Sequence, residues 1–222
     1  MKRIILSLCL LFPLLAWADD SGTTGDCTWY FEEATGTLTV SGNGQMGGGY
    51  DAYKSQIKNV VLEQGVTSIG VWAFSGCSSL ASITIPEGVT SIGVRAFDNC
   101  SNLASITIPK GMTSIESDAF DNCSNLIKII IPNIKTWCGI EFKKGSSNPM
   151  MANILKKHIY SDETTEIKDL VIPEGTTVIP DNAFYLCSNL TSITIPEGVT
   201  TIGEYNQEIK GETNVEIISV IA

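Results

Sequence analysis

Residues 80–93 read Leu80-Ala81-Ser82-Ile83-Thr84-Ile85-Pro86-Glu87-Gly88-Val89-Thr90-Ser91-Ile92-Gly93, and nearly the same text returns one period later. Prolines mark the period, because Pro86, Pro109 and Pro132 are 23 residues apart, as are Pro173 and Pro196. A unit this short cannot bury its own apolar side chains, so successive units must stack on one another. The chain is therefore predicted to be a repeat solenoid rather than a globule with a single core.

Each repeat contains one short strand that alternates apolar and polar residues. In Ile83-Thr84-Ile85 the strand period points both isoleucines inward and Thr84 outward. Pro86 closes the strand because no N–H is needed there, and Gly88 supplies the turn. Six coils follow, with strands centred on residues 60–62, 83–85, 106–108, 129–131, 170–172 and 193–195.

The remaining repeat positions complete the predicted core. They are the Val and Ile of the Val-x-x-Ile segment and the aromatic residues Phe74, Phe97, Phe120 and Phe184. The Ala-Phe-x-x-Cys segment is too short for a regular helix, so a single helical or 3₁₀ turn is expected on the convex side. A period of 20 to 29 residues with regular Leu and Ile is typical of leucine-rich repeats. The predicted fold class is a leucine-rich-repeat solenoid, mostly β.

Four cysteines share one repeat position, where successive coils place them in a column: Cys77, Cys100, Cys123 and Cys187. A free cysteine behaves as a small apolar side chain, so a buried column of thiols is predicted rather than disulfides. Zinc would require two close pairs of Cys or His, and the repeat cysteines are at least 23 residues apart, so no metal site is expected. Cys27 and Cys138 lie outside the column and are not expected to pair.

The N-terminus carries the pattern of a secretory signal. Lys2 and Arg3 precede an apolar run over residues 4–15, and Ala16-Trp17-Ala18 forms a small-x-small cleavage site. We expect residues 1–18 to be a signal peptide that is cleaved after Ala18. No later stretch approaches the ~20 apolar residues of a transmembrane helix.

The rest of the chain divides into three predicted regions: a cap with a glycine-rich loop over residues 19–56, the solenoid over 57–203, and a degenerate C-terminal repeat or cap over 204–222. The cap is a predicted β-hairpin, since Trp29 with Phe31 and Leu38 with Val40 alternate at the strand period. The loop spacing Gly42-x-Gly44-x-x-Gly47 matches a dinucleotide fingerprint, but no helical period follows it. No cofactor is therefore expected. After Gly203 the repeat residues fail at Gln207, Lys210 and Thr213, while residues 215–221 resemble a last strand.

An insertion interrupts the repeats near residues 133–165, because Pro132 and Pro173 are 41 residues apart. Insertions in repeat arrays project from one face and often form binding surface. The alternative is that its lysines only solvate an elongated coil. Between residues 134 and 158 the segment has Glu141 as its one acidic residue against Lys135, Lys143, Lys144, Lys156 and Lys157.

Charge and chemistry narrow the classes of function. The formal net charge of −10 disfavours nucleic acid and anionic lipid as partners. His158, the one histidine, follows Lys156 and Lys157 without a nucleophile motif nearby, so a solvated histidine and no catalytic residue are expected. Recurrent Asp-Asn pairs at Asp98 and Asp121 are explained by turn hydrogen bonds, and calcium would need more carboxylates in each coil.

The outward side of the strands, together with the insertion, is the predicted contact surface. It repeats small hydroxyl residues, which strand propensity alone also explains. We expect a ligand-binding strip on the concave face and the insertion, formed by Ser82, Thr84, Ser105, Thr107, Lys128, Ile130, Lys143, Lys144 and Thr194.

The repeat wording Ile-Thr-Ile-Pro-Glu-Gly-Val-Thr-Ser-Ile-Gly, followed by Ala-Phe and Cys-Ser-x-Leu, resembles the BspA-type leucine-rich repeats of bacterial surface proteins. The segment from Thr28 to Gly42 and the unit from Trp137 to Pro149 resemble parts found beside such repeats. The resemblance implies a secreted or surface-displayed protein that binds host matrix proteins, host cells or other bacteria. It implies no catalytic residue, and no appended wall-anchor domain is recognisable in this chain.

These observations predict a secreted or cell-surface binding protein, a monomer, whose partner is an extracellular protein such as a host matrix protein, or a glycan. Two alternatives stay open. One is a structural spacer without its own ligand, and the other is a glycan-binding solenoid. Hydrolase activity through His158 is the least favoured class.

Overall fold

The structure is a computed structural model that describes residues 19–143, 147–153 and 155–206, with the backbone alone of residues 216–219. The predicted signal peptide, Lys144 and the irregular repeat positions Gln207, Lys210 and Thr213 lie outside the described residues. The described part is a mostly β solenoid of about seven turns.

Two parallel sheets run along the first part of the solenoid, one on each side of the core. The first contains β5 (Asn59–Leu62), β7 (Ser82–Thr84), β9 (Ser105–Thr107), β11 (Lys128–Ile130) and β13 (His158–Tyr160), with β7-β9-β11-β13 hydrogen-bonded in that order and β5 beside β7. The second contains β4 (Gly44–Met46), β6 (Val66–Ile69), β8 (Ser91–Ile92), β10 (Ser114–Ile115) and β12 (Glu141–Phe142). Each of the first four predicted coils thus supplies one strand to each of these two sheets.

The core follows the predicted alternation. Ile83, Ile106 and Ile129 occupy one register row and are buried, and the isoleucines two residues later are buried as well. The rings of Phe74, Phe97 and Phe120 stack with centroids 5.2 and 5.3 Å apart. The predicted burial of the cysteine column is confirmed, and the Cys100 and Cys123 thiols each lie 3.1 Å from the carbonyl oxygen of a Phe in the preceding coil.

The convex side consists of single turns closed by i→i+3 hydrogen bonds, as predicted, but these turns also bond directly to one another. Phe74 N–H donates to Ala96 O (2.7 Å) and Phe97 N–H donates to Ala119 O (2.8 Å). The residue before each Ala-Phe pair is left-handed, with φ of 60° at Trp72 and 52° at Arg95. That conformation turns alternate peptide groups along the solenoid axis and creates a third ladder of hydrogen bonds between coils.

The N-terminal cap is larger than the predicted hairpin. β2 (Cys27–Glu32) and β3 (Thr37–Gly42) form that hairpin, and β1 (Asp20–Thr24), which was not predicted, pairs antiparallel with β2. β3 then pairs parallel with β5, and β4 pairs parallel with β6. β3 and β4 therefore form one additional coil at the end of the cap, which the glycine-rich sequence did not predict.

The insertion builds an enlarged coil between β11 and β13. It contains α1 (Ile134–Gly139), β12 and a 3₁₀ turn over Pro149–Met151. The Asn133 side chain caps α1 by accepting a hydrogen bond from Thr136 N–H at 2.8 Å. Trp137 of α1 is fully buried. No helix in the described ranges is long and apolar enough to cross a bilayer.

Both sheets stop at this insertion and new ones begin after it. After β13 the chain turns back, so that Tyr160 bridges Glu166 in antiparallel fashion and Ile167 N–H bonds to Ile159 O (2.8 Å). This return occupies the edge of β13 at which the next strand would pair. The second stack consists of β14 (Asp169–Val171), β16 (Ser192–Ile195) and β18 (Glu216–Ser219) in one sheet and β15 (Val178–Ile179) with β17 (Thr201–Ile202) in the other.

Candidate binding groove on the first sheet

The outward-facing side chains of β7, β9, β11 and β13 form two straight rows, which we call the strip. One row is Ser82, Ser105, Lys128 and His158, and the other is Thr84, Thr107, Ile130 and Tyr160. Six of the predicted residues lie on the strip. Ile130 is buried, and the other five are at least partly exposed: Ser82, Thr84, Ser105, Thr107 and Lys128.

Three further predicted residues stand apart. Thr194 lies on β16 in the second stack, beyond the break in the first sheet. Lys143 follows β12 in the second sheet and forms an ion pair with Glu141 at 2.5 Å, so it does not border the strip. These two side chains therefore do not share one continuous surface with Thr84, because Lys143 belongs to the other sheet and Thr194 lies beyond the break. Lys144 lies outside the described residues.

Ile130 was predicted to be exposed and is 5 % exposed. It lies outside the central core but beside Tyr160, its partner in the register, and the turn Ser161–Glu163 borders the same space. The insertion therefore covers the one apolar side chain that replaces threonine in this row.

A groove of about 410 Å³ opens above Ile130 at the carboxyl end of β9 and β11. Thr107 and Pro132 line it from the repeats, and Asp162 and Glu163 line it from the turn after β13. Glu87 and Lys110, which follow the strands of the two preceding coils, complete its wall. A second groove of about 340 Å³ borders Thr84, Val61 and Pro86 at the other end of the strip.

The turn over the groove is held by two sets of polar contacts. Lys128 Nζ donates to Glu163 O (2.6 Å) and to Glu163 Oε2 (3.1 Å), and it lies 4.8 Å from the centre of the Tyr160 ring. Asp162 Oδ1 accepts hydrogen bonds from Thr164 N–H and Thr165 N–H, both at 2.8 Å. These bonds hold the pKa of the Asp162 carboxyl well below its usual range, so the carboxylate stays ionised.

Lys157 differs from its predicted solvated state, whereas the side chain of His158 is 42 % exposed. Nδ1 of His158 contacts Glu166 Oε1, which also accepts a hydrogen bond from Asn189 Nδ2 at 2.6 Å. Lys157 is fully buried and donates from Nζ to Asn153 Oδ1 at 2.6 Å. The interpretation of the insertion as a surface of solvated lysines is wrong for Lys157, because this side chain lies in the interior of the coil.

The described residues contain no group of three or more His, Cys, Asp or Glu side chains that could hold a metal ion. The arrangement on the strip is thus a shallow, polar face with an apolar floor at one groove. Sequence reasoning missed Tyr160 and the turn Ser161–Glu163. The break in repeat spacing predicted an insertion in this region, but it did not predict that the inserted chain passes over β11.

The profile of the BspA type leucine-rich repeat region matches this chain in six copies, over residues 49–147 and 153–218. The chain belongs to this family. Its members are bacterial surface-type repeat proteins, and the membership is consistent with a protein-binding role.

Several solved bacterial structures are similar to this chain. A leucine-rich repeat protein from Eubacterium ventriosum is 21 % identical with a TM-score of 0.43, and the match covers 83 % of this chain and 68 % of that one. The leucine-rich repeat protein of T. pallidum is 18 % identical with a TM-score of 0.42, covering 88 % and 84 %. The pneumococcal vaccine antigen PcpA is 18 % identical with a TM-score of 0.43, covering 77 % and 47 %. No curated protein matches the sequence.

Proposed function

We propose that this protein is a secreted or surface-exposed bacterial binding protein that contacts an extracellular protein through the strip. The observation that carries the proposal is the strip itself, since two rows of outward-facing side chains, half of them small hydroxyl residues, lie on a face with a groove at each end. Solenoids use such extended faces for recognition. The partner class follows from the family, whose members are surface-type repeat proteins.

Several features favour binding over catalysis. The imidazole of His158 contacts the Glu166 carboxylate, and no hydrogen bond among the described residues joins this imidazole to a hydroxyl group of the strip. Nucleophilic catalysis by a hydroxyl group would need a base held against it. A glycan ligand is the second candidate, favoured by the hydroxyl rows, while the grooves favour a protein partner because they admit whole side chains.

A binding assay on immobilised extracellular matrix proteins and mucin tests the proposal. Thr84 is exposed at the β7 end of the strip, beside the second groove, and Thr67 is exposed on β6 in the other sheet. Thr84→Glu should therefore weaken binding of the chain that begins at Asp19, whereas the matched change Thr67→Glu should not. Equal affinities for the two variants would exclude the strip as the contact surface.

A further inference from the structure

We infer that the groove above Ile130 receives an extended, positively charged segment of the partner protein, which places an apolar side chain on the floor and a Lys or Arg side chain at the rim. The inference rests on the proposed binding function and adds the chemistry of the partner. The lysine-rich sequence of the insertion suggests a basic surface, whereas the surface inferred here is acidic.

The floor of the groove selects an apolar group. Ile130 stands where the same row has Thr84 and Thr107, and Pro132 lies beside it. Ile130 is itself 5 % exposed, so most of the accessible apolar surface of this pair belongs to the half-buried Pro132. An apolar side chain placed there removes that surface from water, which favours association. The volume of about 410 Å³ accommodates a few side chains and falls in the ordinary range for ligand pockets.

The rim is acidic once the contacts of its lysines are followed. Glu87, Asp162 and Glu163 all border the groove. Lys128, the basic residue on the strip, is already bound to Glu163, so these two charges largely cancel. The remaining charged groups at the groove are Glu87 and Asp162 against Lys110, so the carboxylates are in excess by one.

The acidic groups are also fixed before a partner arrives. Glu87 Oε2 accepts a hydrogen bond from Lys110 N–H at 2.9 Å, which holds the carboxylate at the wall. The turn carrying Asp162 and Glu163 is held by the bonds of Lys128 and of the Asp162 carboxylate. A preorganised acidic rim lowers the entropic cost of binding, and the net charge of −10 attracts cationic segments from a distance. Charge complementarity therefore favours a basic occupant over an acidic one.

The test uses random heptapeptides displayed on phage as the probe and the chain that begins at Asp19 as the target. Selected sequences should be enriched in Lys or Arg next to Leu, Ile, Val or Phe. A synthetic copy of the best sequence should bind the Glu87→Lys variant about fivefold more weakly, the factor that an exposed ion pair is worth, and binding should weaken further as salt rises.

The matched control is Glu174→Lys, which changes an exposed residue at the same Pro-Glu-Gly position of another coil, outside the groove. This variant has the same net charge as Glu87→Lys and should bind the peptide as the wild type does. Selection of acidic or uncharged peptides, or equal loss in both variants, would overturn the inference. If matrix binding nonetheless depends on Thr84, the proposed function stands and the groove alone is rejected.

Discussion

At the residue scale, the least expected feature is a lysine with no exposed surface. Lys157 donates from Nζ to Asn153 Oδ1 (2.6 Å) and Leu155 O (3.0 Å), acceptors supplied by its own loop. Burial disfavours the charged ammonium, and the pKa of Lys157 is lowered to about 8. The residue thus makes the stability of this coil sensitive to pH.

We predict that Lys157 makes the protein more stable as pH rises from 8 to 10. An unfolded lysine has a pKa near ~10.4, so the unfolded chain binds more protons in this window, and stability then increases with pH. The buried thiols oppose this trend, since burial raises the pKa of Cys138 to about 12 and that of Cys77 as well. The quantity to measure is therefore the difference in free energy of unfolding between the wild type and Lys157→Met, by urea denaturation at each pH.

That difference should increase with pH in favour of the wild type, because the thiol contributions cancel between the two proteins. The neighbouring Lys156 is exposed, so Lys156→Met serves as the control and should follow the wild type at every pH. A difference for Lys157→Met that stays constant from pH 8 to pH 10 would contradict the assignment of a buried, perturbed ammonium.

At the scale of the repeating element, the coils are joined through their aromatic column as well as through their strands. Phe97 is fully buried between Phe74 and Phe120, nearly parallel to Phe120 at an interplanar angle of 3°. Each coil supplies one ring, so the column exists only because the coils stack. A single truncation removes contacts from both neighbouring coils.

Phe97→Ala should accordingly destabilise the protein by about 3–5 kcal/mol, as measured by urea denaturation, because it leaves a cavity in a packed column. Val61, which is 47 % exposed on β5, provides the control, and Val61→Ala should cost less than ~0.5 kcal/mol. A loss of less than ~1 kcal/mol in the free energy of unfolding of Phe97→Ala would contradict the packing of this ring against both neighbouring rings.

At the scale of the whole molecule, the insertion divides the solenoid into two stacks and then joins them mainly through side chains. Among the described residues of the junction, the Phe-to-Ala hydrogen bonds of the convex ladder do not continue from the first stack to the second. Trp137 Nε1 instead donates to Ala183 O (2.9 Å), Asn148 Nδ2 to Asn182 O (3.1 Å), and Lys157 N–H to Leu186 O (2.9 Å). Two side-chain donors and one backbone N–H thus link the two stacks at this junction.

Removing one of these donors should loosen the second stack selectively. Trp137→Phe keeps the ring buried but leaves the carbonyl of Ala183 without its donor, at an expected cost of about 1–3 kcal/mol. Because coils contact only their neighbours, amide hydrogen exchange should accelerate over β14–β17 and stay unchanged over β7–β10. The exposed Trp72 is the control, and Trp72→Phe should change neither region. Uniform acceleration along the chain would indicate that the two stacks unfold as one unit.

The candidate site shows how far sequence reasoning reaches at this larger scale. The rows through Ser82 and Thr84 were predictable, because parallel coils of equal length place equal repeat positions in register. The burial of Ile130 could not be predicted, since it depends on the turn Ser161–Glu163, which lies about 30 residues later in the chain and is not part of a repeat. The ion pair between Lys128 and Glu163 could not be predicted for the same reason.

The amino-acid sequence alone determined the period, the inward isoleucines and the buried column of cysteines, because each follows from alternation within a strand and from identical neighbours on both sides. Tertiary structure decided that both sheets end at the insertion, which lysine is buried and which charge surrounds the groove. Those outcomes depend on single contacts between residues that are far apart in the chain and belong to no repeat, so no local pattern records them.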